Sequence, residues 1–204
     1  MRRINLSKKQ SRTNLNYPKH TPPLLHDDCK QTPCKSGGVC FLSWFFVMKI
    51  HLLAVGTKMP DWVTQGYTEY AHRLPAKCSL HLKEIPAEKR SKNSNIKAIM
   101  QKEADKLKAA IPNNSRVVAL DVKGQAWSTE KLATRLQDWM MGGQDIALLV
   151  GGPDGLTHEL LQLAQEKWSL SNLTFPHPLV RVVVAEQIYR AFTITENHPY
   201  HRSG

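Results

Sequence analysis

The residue types that could do chemistry gather in the last third of this 204-residue chain. Gly151, Gly152, Pro153, Asp154 and Gly155 spell GGPDG, directly after the apolar run Ile146–Val150 and before a segment with helical spacing. Glycines between a buried strand and a helix let the backbone come close to a bound molecule. The run is not a Walker loop, because no Lys-Ser/Thr follows, and it is not G-x-G-x-x-G. A tight strand-to-helix turn would use the same residues with no ligand at all.

A second run is SLSNLTFPHPLVR, Ser169 to Arg181. Ser, Asn and Thr alternate there with Leu170, Leu173 and Phe175, and two prolines stiffen its end. Backbone donors and acceptors between apolar walls are what an adenine ring and a thioether need. A third run is the tail, where His198, Pro199, Tyr200, His201 and Arg202 stand within the last seven residues. Chain ends are commonly polar and frayed, yet this one carries hydrogen-bonding groups beside an aromatic. His177 and Arg181, on the loop side of the last helix, are close enough in sequence logic to meet them. Lys89, Arg90 and Lys92 form a compact basic cluster in the EKRSKNSN loop, suited to phosphate contacts or to a solvated surface.

These residues need elements to hold them. From Met48 onward strands and helices alternate. Apolar runs predict strands at Ile50–Val55, Leu80–Ile85, Arg116–Asp121, Ile146–Val150 and Leu170–Phe175. Helical spacing follows Pro60 (Val63, Tyr67, Tyr70, Leu74), and recurs at Ile96, Ile99, Glu103 and Leu107 up to Pro112. Ser128 and Thr157 stand where helix caps belong, and Gly142-Gly143 where a helix stops. Leu179–Thr195 is β-branched like a strand but long like a helix, and is read as a helix. Alternation with near-continuous apolar strands predicts an α/β fold, a parallel sheet flanked by helices. Ligands in such sheets bind at the carboxyl ends of strands, which selects the loops after Val55, Asp121, Val150 and Phe175.

Residues 1–47 read differently: Lys, Arg, Ser, Asn, Pro and Gly without periodicity, as in disordered segments. They are expected to be a basic extension outside the domain, either a true tail or an over-extended reading frame. Eight Lys and Arg against two Asp there give +6; twenty against fifteen in 48–204 give +5, for the net +11. The domain is mildly basic, as suits contact with a polyanion at one patch. Cys29, Cys34 and Cys40 lie in the extension at spacings zinc sites do not use, and Cys78 is the one cysteine of the domain. No metal is expected, nor a disulfide framework, and the lone cysteine fits a reducing, cytoplasmic setting. The apolar run FLSWFFV is seven residues, where a membrane span takes about twenty; no membrane segment is expected.

The three C-terminal runs in this order, the opening MKIHLLAVGTKMPDWV and the IPAEKRSK loop resemble one family across residues 48 to about 202. It is the small SPOUT-class methyltransferases, which methylate N3 of a pseudouridine in the 23S ribosomal RNA of the bacterial large subunit. The resemblance implies a deep C-terminal trefoil knot, a feature no periodicity predicts. It implies S-adenosylmethionine as cofactor, held by Leu120, Gly151 and Gly152, and by Ser171, Asn172, Leu173, Thr174, Phe175 and Pro176. It also implies a homodimer whose active site draws on both protomers, acting on the large subunit or the assembled ribosome. His177, Arg181, Tyr200, His201 and Arg202 are then the catalytic candidates, and Lys89, Arg90 and Lys92 the RNA-binding ones. Two rival readings are a non-catalytic RNA- or nucleotide-binding module and a ribosome-associated protein using 1–47 as an arm.

Overall fold

The computed structural model describes residues 47–91 and 94–197. Five strands and five helices alternate: β1 Met48–Val55, α1 Asp61–Ala71, β2 Cys78–Ile85, α2 Ile96–Ala110, β3 Arg116–Ala126, α3 Thr129–Gly142, β4 Ile146–Val150, α4 His158–Leu163, β5 Glu166–Ser169 and α5 His177–Thr195. The strands form one parallel sheet in the order β2-β1-β4-β3-β5. β4, all five residues buried, inserts between β1 and β3, with Ile146 opposite Ile50 on one side and Arg116 on the other.

Both sheet faces are covered, which is why the central strands are apolar without alternation. Ile50, Leu52, Leu148 and Val150 face α1, α3 and α5, with Trp139 and Ile188 in the same cluster. Leu53, Val55, Ala147 and Leu149 face α2 and α4, meeting Leu107 and Leu160. The caps read from the sequence are in place. Ser128 accepts a hydrogen bond from the Lys131 N–H at 3.2 Å, and Thr157 from the Leu160 N–H at 3.4 Å. Gly143 ends α3 at φ +64°, a left-handed conformation in which glycine has no Cβ penalty.

Residues 177–195 are helical, apolar around most of the circumference because α5 packs on both α1 and α3 as well as on the sheet.

Two strands depart from expectation. The fifth strand is Glu166–Ser169, not Leu170–Phe175. Serines draw the chain out of the ladder: Ser169 Oγ donates to the Ser171 carbonyl at 3.1 Å, and the Leu173 N–H donates to Ser171 Oγ at 3.0 Å. Side chains that satisfy nearby backbone compete with sheet pairing. β3 runs on past Asp121 to Ala126, but its pairing with β5 breaks between Leu120 and Gln125, both opposite Trp168. Gly124 lies in that excursion, where a Cβ would come within 2.9 Å of the Lys167 backbone.

Candidate functional site

The middle of β3, where its pairing breaks, and the carboxyl ends of β4 and β5 open onto a cavity of about 180 Å³. Its floor is the GGPDG turn. Gly152 and Gly155 form an antiparallel bridge, the Gly155 N–H donates to the Gly152 carbonyl at 2.9 Å, and Gly155 sits at φ +83°. The 169–175 loop forms the opposite wall, and Leu120, Asp121 and Val122 close one side. Trp168 backs the cavity, stacked on Trp127 with ring centroids 5.3 Å apart.

Of the residues expected to hold a cofactor, Leu120, Gly151, Gly152, Ser171, Leu173, Thr174 and Phe175 line this cavity. Asn172 and Pro176 are exposed and do not. The residues named one by one left out Asp121, Trp168, Ser169 and Leu170, although Ser169 and Leu170 stand in the run singled out as Ser169 to Arg181; Trp168, one residue before that run, was hidden by setting the fifth strand too late in the chain. The lining is chiefly apolar, with neutral hydroxyls and backbone groups.

The two first glycines of the turn have a reason that the sequence did not disclose. A Cβ on Gly151 would stand 2.4 Å from the Gly155 carbonyl carbon, and one on Gly152 would stand 2.7 Å from Glu103 Oε2. Side chains are excluded by the protein itself, not only by an incoming ligand.

His177, the first residue of α5, lines the cavity beside Phe175 and Val180. Burial, then the charges of Arg181 and Arg90, push its pKa below the ordinary 6.5, while Glu103 and the Gly152 backbone pull the other way. Its Nδ1 is buried and finds no hydrogen-bond partner among the described residues. A neutral imidazole with an uncommitted ring nitrogen can accept a proton.

Arg181 and Arg90 are both engaged by carboxylates. Arg181 is 1% exposed and absent from the cavity wall. It is ion-paired with Glu84 at the end of β2 and donates to the Gly56 carbonyl after β1 at 2.6 Å. From outside the cavity wall its charge helps to lower the pKa of His177. Arg90 is equally committed: Nη1 and Nη2 donate to the two carboxylate oxygens of Glu103 at 3.0 and 3.1 Å, and Nε to Asp154 Oδ2 at 3.0 Å. Of the basic cluster, Lys89 is exposed. Lys92, Tyr200, His201 and Arg202 lie outside the described residues, as do Cys29, Cys34 and Cys40. Cys78 is a buried free thiol whose pKa burial pushes up to about 12, an inert core residue. Among the described residues no helix is long and apolar enough to cross a membrane.

Comparison with known proteins agrees with this architecture. A family model described as "Predicted SPOUT methyltransferase" matches residues 48–201. The chain is 58% identical over 155 residues to a protein of Thioalkalivibrio sulfidiphilus named ribosomal RNA large subunit methyltransferase H, covering 76% of this chain and 99% of that one. A protein of the same name from Methylococcus capsulatus is 55% identical over 155 residues, 76% of this chain and all of its own length. Among solved structures, a probable methylase family protein from Haemophilus influenzae aligns at a TM-score of 0.46 and 12% identity, over 76% of this chain and 70% of that one, too loosely to place residues. The match over residues 48–201 and the two full-length relatives settle the family: the chain belongs to the SPOUT methyltransferases.

Proposed function

We propose that the domain formed by residues 48–204 methylates N3 of a pseudouridine in 23S ribosomal RNA, using S-adenosylmethionine. The observation that carries the reading is the cavity between the GGPDG turn and the 169–175 loop, with His177 on its wall, in a chain 58% identical to a large-subunit rRNA methyltransferase. The fit to the cofactor rests on the lining. Leu120, Val150, Leu156, Leu170 and Phe175 offer apolar surface for a purine and a thioether, and Ser169, Ser171 and Thr174 add hydroxyls. No carboxylate or amine other than Asp121 stands among the lining residues to compete with the ligand's own charges.

When bound, S-adenosylmethionine supplies an electrophilic methyl group. The residues of this chain do the remainder. The GGPDG turn and Leu120 position the ligand, and the 169–175 loop closes over it and keeps water out. N3 of pseudouridine is an imide nitrogen that holds a proton near neutral pH, so the proton has to leave as the nitrogen attacks. His177, held neutral by burial and by two neighbouring guanidinium groups, is the described group suited to accept it. Charge developing on the flanking carbonyl oxygens calls for donors; His201 and Arg202 are assigned that role, and Tyr200 that of stacking on the base. Alignment of nitrogen and methyl supplies much of the rate.

The same reading makes the enzyme a cytoplasmic homodimer, with the tail of each protomer serving the pocket of the other, and a knotted one. Residues 1–47 are assigned to a basic extension that the domain does not need. Lys89 and Lys92 are assigned to RNA phosphates on the large subunit or ribosome. The deciding experiment is mass mapping of modified nucleosides in large-subunit rRNA from cells with and without the gene. One methylated pseudouridine should disappear with the gene; an unchanged map would overturn the proposal.

A further inference from the structure

The GGPDG turn is held from behind by a chain of charges that starts in the core. Glu103, on the inward face of α2, is 3% exposed. It accepts two hydrogen bonds from Arg90 and a third from the Glu88 N–H at 2.9 Å. Nη1 of Arg90 also reaches the Glu88 carbonyl at 3.2 Å, and Nε reaches Asp154 in the turn at 3.0 Å. One guanidinium therefore joins three pieces of chain: the loop after β2, the inward face of α2 and the fourth residue of the turn.

A planar guanidinium with each edge committed fixes geometry in a way a point charge cannot. The buried carboxylate, costly when unpaired, locks the arginine in turn. Gly152 is pressed against this pair, because a Cβ there would stand 2.7 Å from Glu103 and 3.1 Å from Arg90. The turn has neither room to move toward α2 nor freedom to move away while Asp154 is held.

We propose that Arg90 is a positioning residue of the cofactor pocket, latching Asp154, and with it the GGPDG turn, to the buried Glu103 of α2. The proposal rests on the reading of the cavity as the S-adenosylmethionine pocket. It assigns a task to a cation that would otherwise count as one more phosphate ligand, and it places the loop bearing Lys89 and the turn lining the pocket on one shared fastening.

Removing Arg90 would strand Glu103 and risk the fold, so the latch is best cut at its outer end. Asp154→Ala leaves the Arg90–Glu103 pair whole, and its melting temperature should match that of the unaltered protein. In calorimetric titration with S-adenosylmethionine its dissociation constant should rise by about threefold to tenfold, the range for removing one partly exposed ion pair plus the order it imposes. KM for S-adenosylmethionine should rise with it while kcat at saturation stays within about twofold, the pattern of weakened ground-state binding. Asp154→Glu, which keeps a carboxylate, should recover most of the affinity. Unchanged affinity in Asp154→Ala, a loss confined to kcat, or an Asp154→Glu variant as weak as the alanine would each overturn the latch. If the unaltered protein takes up no S-adenosylmethionine, the functional reading itself fails and the latch falls with it.

Discussion

The Arg181 guanidinium, in the second turn of the last helix, donates to the Gly56 carbonyl at the end of the first strand, 2.6 Å away and 125 residues earlier. With Glu84 it ties α5 to the ends of β1 and β2 at once. Arg181→Leu should lower unfolding stability by about 2–4 kcal/mol, since it removes a buried charge from its partners and leaves a carbonyl without a donor. Urea unfolding measures this, and a shift under about 0.5 kcal/mol, the size of an ordinary surface substitution, would show that the interaction is idle.

Gly151 and Gly152 should fail in different degrees. The Cβ of Gly151→Ala meets backbone of the same turn, which cannot move aside, whereas that of Gly152→Ala meets the ends of two side chains. Both should weaken S-adenosylmethionine binding, and Gly151→Ala should also lower the melting temperature more. The reverse order in calorimetry and thermal unfolding would mean that the turn is looser than its geometry states.

His177 sets a pH dependence. Its pKa lies below 6.5 in the fold, so the neutral form predominates at pH 7 and the rate should be flat from there upward. Activity should drop as pH falls through the depressed value. Stability follows the same sign: the contribution of His177 is fully present above 6.5 and is lost as acid protonates a group the fold prefers neutral. The groups acting on it are Arg181, Arg90, Glu103 and the Gly152 backbone. His177→Ala should lower kcat by about a hundredfold or more, as for loss of a general base, and should remove the acid limb of the profile; an unaltered limb assigns the proton to another group.

Much of this site is legible in the sequence, and the illegible part has a common cause. The glycines, the serine-rich loop and His177 announce themselves because neighbours in sequence supply their context. Arg90 sits among Lys89, Ser91 and Lys92 and reads as one of a row of free cations. Its partners are 13 and 64 residues away, and only pairing in space reveals that it is spent. The sequence does hold a signal, because Glu103 shares the apolar stripe of α2 with Ile99 and Leu107, and a carboxylate at such a position needs a buried cation. The fifth strand is displaced from its expected place for a local reason, as Ser169 and Ser171 turn the chain where its apolar alternation alone suggests extension.

Lys89, freed of Arg90, carries a sharper expectation. The double variant Lys89→Glu with Lys92→Glu should weaken rRNA or ribosome binding and flatten its dependence on salt by about one unit of slope for each phosphate no longer neutralised. S-adenosylmethionine affinity should be unaffected. Binding and salt slope equal to those of the unaltered protein would return both lysines to the solvated surface.

The tail is testable by mixing. On the proposed homodimer, deleting Tyr200–Gly204 should spare cofactor binding and dimer mass while methyl transfer falls by about a hundredfold or more, the effect of removing a positioned acid–base or charge-stabilising group. Combined with His177→Ala subunits, tail-deleted subunits should regain activity, because each mixed dimer holds one site with an intact pocket and an intact tail. Confirmed mixed dimers that stay inactive would place each tail at its own pocket.

The sheet order sets a timetable for folding. β1 leaves one edge open until β4 arrives some ninety residues later, and β3 stays unpaired on that side until the same moment. β5 and α5, which follow, finish the edge of the sheet and cover one of its faces. Pairings this distant in sequence form slowly, and unpaired edges stick to other chains in the meantime. A nascent chain leaving the ribosome can pair β1 with β2 and has nothing yet to lay against the other edge of β1. The cavity, built from Leu120, the GGPDG turn and the 169–175 loop, comes into being only after that loop has been made. The cofactor can stabilise the finished protein, but it has nothing to grip while the protein is being made.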